Sequence, residues 1–200
     1  SSGNELLRLI NDVLDLSKVE AGMLDVIVDN FNSSVFLDEI FVQFEHQAKE
    51  KNLDLKINDT YVGQISSDKH RLSQILRNLI SNSLKFTKKG SISIDISRTE
   101  QSKVKITVQD TGIGISSNKL RTIFEAFQQA EGGISREYGG TGLGLSISKE
   151  LSHILGGNIN VSSDLNVGST FTIVIPNIES EEKHIKTDAI VETKVKVSEI

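Results

Sequence analysis

The chain has 200 residues, 37% of them hydrophobic, and a net charge of −5, which suits one ordinary globular core with short appended pieces. That charge excludes a general attraction to nucleic acid or to an anionic membrane, since sequence-independent phosphate binding needs a concentrated Lys/Arg surface. With no cysteine, disulfides and thiolate metal sites are excluded, and the four histidines (His46, His70, His153, His184) fall at no metal-ligand spacing.

In chain order, the first element is a helix from Asn4 to Val19, where Leu6, Leu7, Leu9, Ile10, Val13, Leu14, Leu16 and Val19 recur at three- and four-residue steps. Such a wide apolar stripe needs a partner, either the core of the same domain or a second helix in a dimeric stalk. Glu20 to Gly22 supply its stop. A second helix is expected from Asn32 to Lys51, with Ser33 or Ser34 as N-cap and Val35, Leu37, Ile40, Phe41, Phe44 and Ala48 inside. "LDLKIND" alternates as a strand. Asp68 opens a third helix through Leu72, Ile75, Leu76, Leu79, Ile80 and Leu84, which stops near Gly90.

"SISIDIS" and "KVKITVQD" read as an antiparallel hairpin. A helix is expected at Asn118 to Ala126, then a glycine-bearing segment from Gln128 to Gly144. Another helix runs to Leu155, ended by Gly156 and Gly157, and two strands follow, "NINVSSD" and "STFTIVIP". After the first helix, the order α, β, α, β, β, α, α, β, β predicts a two-layer α/β sandwich, a mixed sheet with helices on one face. After Pro176 the charged run "NIESEEKHIKTD" reads as a linker, and "AIVETKVKVSEI" suits an edge strand or the start of a further domain. The opening at Ser1 in helical sequence, with no basic-then-apolar leader and no run of about 18 apolar residues, suggests a cytoplasmic piece of a longer protein.

Three stretches carry chemistry. "DTGIGI", Asp110 to Ile115, follows a strand directly. An ionised Asp there is an acceptor suited to the exocyclic amino group of adenine, and two glycines let the backbone approach a flat ligand, although Asp-Thr-Gly also begins ordinary turns. On the third helix Gln74, Asn78, Asn82 and Lys85 form a polar row one turn apart. Magnesium takes one or two protein oxygens plus phosphates, and an Asn carbonyl can serve; a solvated helix face would show the same row. In "GGTGLGLSISKEL", Gly139, Gly140, Gly142 and Gly144 lie at or before a helix start, where unpaired N–H groups and the helix dipole favour anions. Neither the P-loop nor the Rossmann spacing fits this stretch.

In this order the three stretches, with "IFEAFQQ" between them, closely resemble the catalytic ATP-binding domain of sensor histidine kinases, particularly hybrid ones. That family lies in the superfamily shared with type II topoisomerases, heat-shock chaperones and mismatch-repair ATPases. The resemblance covers about Phe31 to Pro176 and names the N box, the G1 box ("DTGIG"), the F box and the G2 box ("GGTGLGL"). It implies a Bergerat-type fold over 26–177. Residues 1–25 resemble the end of the dimerisation and histidine-phosphotransfer hairpin, and 178–200 remain a linker or the start of a removed domain.

By the resemblance, Asn82 is the Mg²⁺ ligand with Asn78 beside it, Lys85 reaches the phosphates and Phe86 lies against adenine. Asp110 binds the adenine amino group, Gly112 and Gly114 shape that wall, and Gly140, Gly142, Leu143 and Gly144 line the phosphate end. Thr170 would help hold Asp110 or an adenine-bridging water. Phe124 and Phe127 would anchor a mobile lid. Gln129 stands where many relatives have a basic residue, for which Arg136 would substitute.

The resemblance also implies a reaction. ATP-hydrolysing members place a Glu where this chain has Asn78, and a positioned base is worth about 10²–10⁴-fold, so hydrolysis should be poor. A neutral imidazole needs no such base, which suits γ-phosphoryl transfer to a histidine. None of the four histidines has the acceptor context, so the expected acceptor lies upstream and the chain alone should bind ATP without autophosphorylating. The implied partners are Mg-ATP, the upstream hairpin, a response-regulator receiver domain and a second copy in a homodimer.

Overall fold

The computed structural model describes residues 24–126 and 142–177, together with positions 10, 13, 14 and 17. Those four positions are helical, and Ile10, Val13 and Leu14 are exposed. The rest of the expected stalk helix, the segment 127–141 and residues 178–200 lie outside the described residues.

The elements are β1 (Asp29–Asn32), α1 (Ser33–Glu50), β2 (Leu53–Asp59), β3 (Gln64–Ser67), α2 (Lys69–Phe86), β4 (Gly90–Arg98) and β5 (Val104–Asp110). After the F-box region come α3 (Gly144–Ile154), β6 (Asn158–Asp164) and β7 (Gly168–Ile175). Five strands form one mixed sheet in the order β2-β4-β5-β7-β6, in which β2 runs parallel to β4 and every other pairing is antiparallel. Period-two alternation gathers the apolar side chains onto one face: Ile96, Ile106, Ile173 and Ile159 are Cα partners in a single row, all buried. Leu37, Ile40 and Phe44 of α1, Leu76, Leu79 and Ile80 of α2, and Ile147 and Leu151 of α3 join the same core. The other face presents Ser93, Asp95, Lys105, Thr107 and Thr172, none of them buried. This is the expected two-layer α/β arrangement, and no described helix is long and apolar enough to cross a membrane.

Two expectations are corrected, and one small sheet has no counterpart in the sequence reading. The N-cap of α1 is Asn32, whose Oδ1 accepts from the backbone N–H groups of Ser34 and Val35 at 2.9 and 3.2 Å. Ser33 and Ser34 are diverted from capping because both hydroxyls donate to Asp59 Oδ2, at 2.6 and 2.7 Å. Burial alone would raise the Asp59 carboxyl, but those hydroxyls and the N–H groups of Val62 and Tyr61 hold it below the usual carboxylate range. One step along, Val35 is 55% exposed while Phe36 is fully buried.

The small sheet is separate and two-stranded, β1 pairing antiparallel with β3. Strands of four residues reading "DNFN" and "QISS" carry too little alternation to be seen in sequence. Second, residues 117–126 form successive turns instead of a helix. The Thr122 hydroxyl donates to Lys119 O at 3.3 Å, where a three-residue bond from the Thr122 N–H also ends, in competition with an α-helical ladder.

Candidate functional site

Helix α2 is set by its cap. Asp68, itself buried, accepts from Arg71 N–H at 2.9 Å through Oδ1, and its Oδ2 takes the N–H of Ile27 from the incoming chain at 3.0 Å. Leu72, Ile75, Leu76, Leu79, Ile80 and Leu84 face the sheet. The row Gln74, Asn78, Asn82 and Lys85 therefore lies on the flank of the helix, every member half-buried. A solvated face would be fully exposed, so this one borders protein. Lys85 Nζ stands 4.9 Å from the centroid of the Phe86 ring, a cation–π distance.

At the end of β5, Asp110 is only 5% exposed. Its carboxylate accepts from Gly112 N–H at 2.9 Å and from the Ser83 hydroxyl at 3.3 Å, and the Ser169 backbone N–H also favours the charged form. Burial outweighs these and pushes the Asp110 carboxyl up from its ordinary value. A buried carboxylate with acceptor capacity to spare is well suited to a ligand's amino group.

Gly112 has no room for a side chain: a Cβ there would stand 2.6 Å from Phe86 O and 2.9 Å from both Asp110 Oδ1 and Thr87 Oγ1. That close approach lets the loop lie flat against the C-terminal end of α2, where Ile113 N–H donates to Phe86 O at 3.3 Å. The Thr87 hydroxyl is buried beside it with no hydrogen-bond partner among the described residues. Gly114, at φ +66, lies under the β6–β7 turn, where Asn166 N–H donates to Ile113 O at 2.7 Å.

The end expected to hold the phosphates is the start of α3. Gly142 takes φ +70, Leu143 is buried at the N-cap position, and Gly144 opens the helix. A Cβ on Gly144 would fall onto the Asn78 side-chain amide, so the bare backbone is what lets the two helices meet at that point. Asn78 Nδ2 donates to the hydroxyl of Ser148 at 2.7 Å, one turn into α3.

Thus Asn78 is brought against Gly144, and Phe86 against the loop of Asp110 and Gly112. Thr170 is not brought to Asp110. The β5–β7 register pairs Asp110 with Ser169 and Gln109 with Thr170, so alternation turns Thr170 toward the opposite face from Asp110. Ser169 and Ser83 hold the carboxylate in its place. Phe124 meets Phe171 edge-on at 6.5 Å, consistent with an anchoring position, while Phe127, Gln129, Arg136 and Gly140 lie outside the described residues. Sequence reading passed over Ser83, Ser148 and Ser169, although Ser83 follows Asn82 directly and Ser148 lies four residues after Gly144.

The geometry fits a nucleotide with its base at Asp110 and its phosphates at the α3 start. Among the described residues no cluster of three His, Asp or Glu side chains could hold a metal by itself. The neutral oxygens of Asn78 and Asn82 fit a magnesium ion shared with phosphates, not one caged by carboxylates.

Residues 67–179 match the family described as histidine kinase-, DNA gyrase B- and HSP90-like ATPases. Hybrid signal transduction histidine kinase L of Dictyostelium discoideum is 44% identical over 186 residues, covering 88% of this chain and 11% of that protein. The signal transduction histidine-protein kinase BarA of Escherichia coli K12 is 42% identical, covering 85% of this chain and 19% of that protein. Among solved structures, full-length ShkA in complex with AMPPNP superposes with a TM-score of 0.79 at 31% identity, covering 88% of this chain and 36% of that one. The catalytic domain of histidine kinase ThkA does so at 0.66 and 28%, covering 76% and 96%. The chain therefore spans about a tenth to a fifth of the two curated relatives named.

Proposed function

The chain belongs to the family of histidine kinase-, DNA gyrase B- and HSP90-like ATPases, and from that premise we propose that it transfers the γ-phosphoryl group of Mg-ATP to a histidine upstream in the parent protein. The observation that carries this reading is Asn78 lying against Gly144 at the α3 start. An amide at that position cannot accept a proton from water, so the site can orient and stabilise a transferring phosphoryl group while giving hydrolysis no general base.

Asp110 would accept from the adenine amino group, with Gly112 closing one side and Phe86 near the base. Asn82 would offer its amide oxygen to magnesium, which when bound neutralises phosphate charge and aligns the chain of phosphates. Lys85, a point charge on a flexible stem, would leave the Phe86 ring for the phosphates. Gly142 and Gly144 would present backbone N–H groups at the positive end of α3. Residues 1–25 would end a dimerising hairpin that carries the acceptor. Residues 178–200 would lead toward a later domain of the phosphorelay, and a receiver domain would take the phosphoryl group onward. ShkA, whose match covers 88% of this chain and 36% of its own, is a complex with AMPPNP, and this supports the nucleotide assignment.

The test is titration with Mg-ATP, followed by transfer to a phosphotransfer hairpin from a matching hybrid kinase. Wild-type chain should bind ATP, phosphorylate the hairpin and release inorganic phosphate slowly. Asn82→Ala should cut magnesium-dependent transfer by about 10-fold or more. Steady phosphate release in the absence of the hairpin, at rates typical of chaperone ATPases, would identify a hydrolase instead.

A further inference from the structure

Helix α3 carries three buried serines that do not behave alike. The Ser146 hydroxyl donates to Leu143 O at 2.8 Å and the Ser152 hydroxyl to Ser148 O at 2.7 Å, the usual return of a helical serine onto its own backbone. Ser148, 1% exposed, uses its oxygen to receive the Nδ2–H of Asn78 on another helix at 2.7 Å.

A hydroxyl can accept from an amide nitrogen or donate to an amide oxygen, so a bond to Ser148 fixes where the Asn78 amide sits, whichever of its two atoms is engaged. Here the nitrogen is engaged by Ser148, and the atom nearest to where a Gly144 Cβ would lie is Oδ1. We propose that Ser148 is a positioning residue for phosphoryl transfer: its hydroxyl ties the Asn78 amide to α3 and keeps it against the helix start. The inference rests on Asn78 being part of the nucleotide site.

Position matters chemically because an amide held at one place against the α3 start can interact with the transferring group in the transition state without adding to ground-state binding. Losing the constraint should therefore slow the chemical step while leaving ground-state binding almost untouched. A serine that only filled space would lower stability instead.

The experiment is a double-variant cycle in the 200-residue chain, using Ser148→Ala, Asn78→Ala and the pair. ATP affinity, melting temperature and the rate of transfer to an added phosphotransfer hairpin are measured for each. Ser148→Ala is expected to slow transfer about 10-fold with ATP affinity unchanged within about twofold. In the Asn78→Ala background the same change should have no further effect on transfer. Three results would overturn the inference: equal slowing in both backgrounds, affinity falling in step with the rate, or an unimpaired Ser148→Ala beside an impaired Asn78→Ala. Unimpaired transfer by Asn78→Ala would remove the reading of Asn78 itself, and this inference with it.

Discussion

The two ends of the site are built on opposite plans. At the end proposed for adenine, Asp110 closes a central strand with paired neighbours on both sides, and the Gly112 loop lies so close to Phe86 O and Thr87 that no side chain fits. At the end proposed for the phosphates, the start of α3 meets α2 through a side chain, with Asn78 bonded to Ser148 and lying against Gly144. A sheet ladder and backbone contacts hold the recognition end in one geometry. At the α3 start the close contact is made by a side chain, Asn78, and does not involve a second stretch of backbone.

If that contrast is right, the largest effect on stability should come from crowding the rigid end. Gly112→Ala should lose about 1–3 kcal/mol of stability, because a Cβ 2.6 Å from Phe86 O displaces backbone and cannot be relieved by a rotamer change. ATP binding should fall with it. Wild-type denaturant midpoint and affinity in this variant would show the wall to be adaptable.

Asp110→Asn separates recognition from stability. Loss of a charge-assisted hydrogen bond to the amino group should weaken ATP by roughly 1.5–3 kcal/mol, read as a 10- to 150-fold rise in Kd. The stability effect has the opposite sign. Burial raises the Asp110 pKa, so the folded state holds this proton more tightly than the unfolded chain, and ionisation costs stability as pH rises through the folded value. At neutral pH the nucleotide-free Asn variant should therefore melt no lower than wild type. Its advantage should shrink as pH falls and the wild-type carboxyl also becomes neutral. A lower melting temperature at pH 7 together with unchanged affinity would make Asp110 a structural residue only.

The smallest effect is expected at Asp68, outside the nucleotide site. Asp68→Ala should cost about 1 kcal/mol through the lost α2 cap, seen in thermal melts, with ATP affinity preserved. Asp68→Asn should restore most of it, since one amide oxygen can still cap Arg71 N–H. A large loss of affinity in Asp68→Asn would mean that the bond to Ile27 also controls the site.

The adenine end was the more legible of the two in sequence. Asp110, Gly112 and Gly114 stand in one short run after an alternating strand, and local order is enough to place them on one loop. Asn78 and Asn82 were legible as a helical row, because four-residue spacing implies a shared face. As the residue that holds Asp110, Ser169 takes the place expected of Thr170. Ser169 and Thr170 are alike in chemistry and adjacent in sequence, and only the pairing of Asp110 with Ser169 says which shares its face. The α1 cap failed for a related reason: Ser33 and Ser34 are good caps in isolation, but Asp59, distant in sequence, takes both hydroxyls. The 117–126 region carried helical apolar spacing, yet its Thr122 and Lys119 settle into turns.

By itself, the sequence determined the two-layer class, the strands of the main sheet, helix α2 with its Asp68 cap, and the family, because each depends on periodicity or on boxes read along the chain. The small β1–β3 sheet, the partners of Asp110 and the bond from Asn78 to Ser148 were decided by tertiary structure. Each joins residues distant in the chain, and a side chain's hydrogen-bond partner is chosen by which groups packing brings within about 3 Å of it.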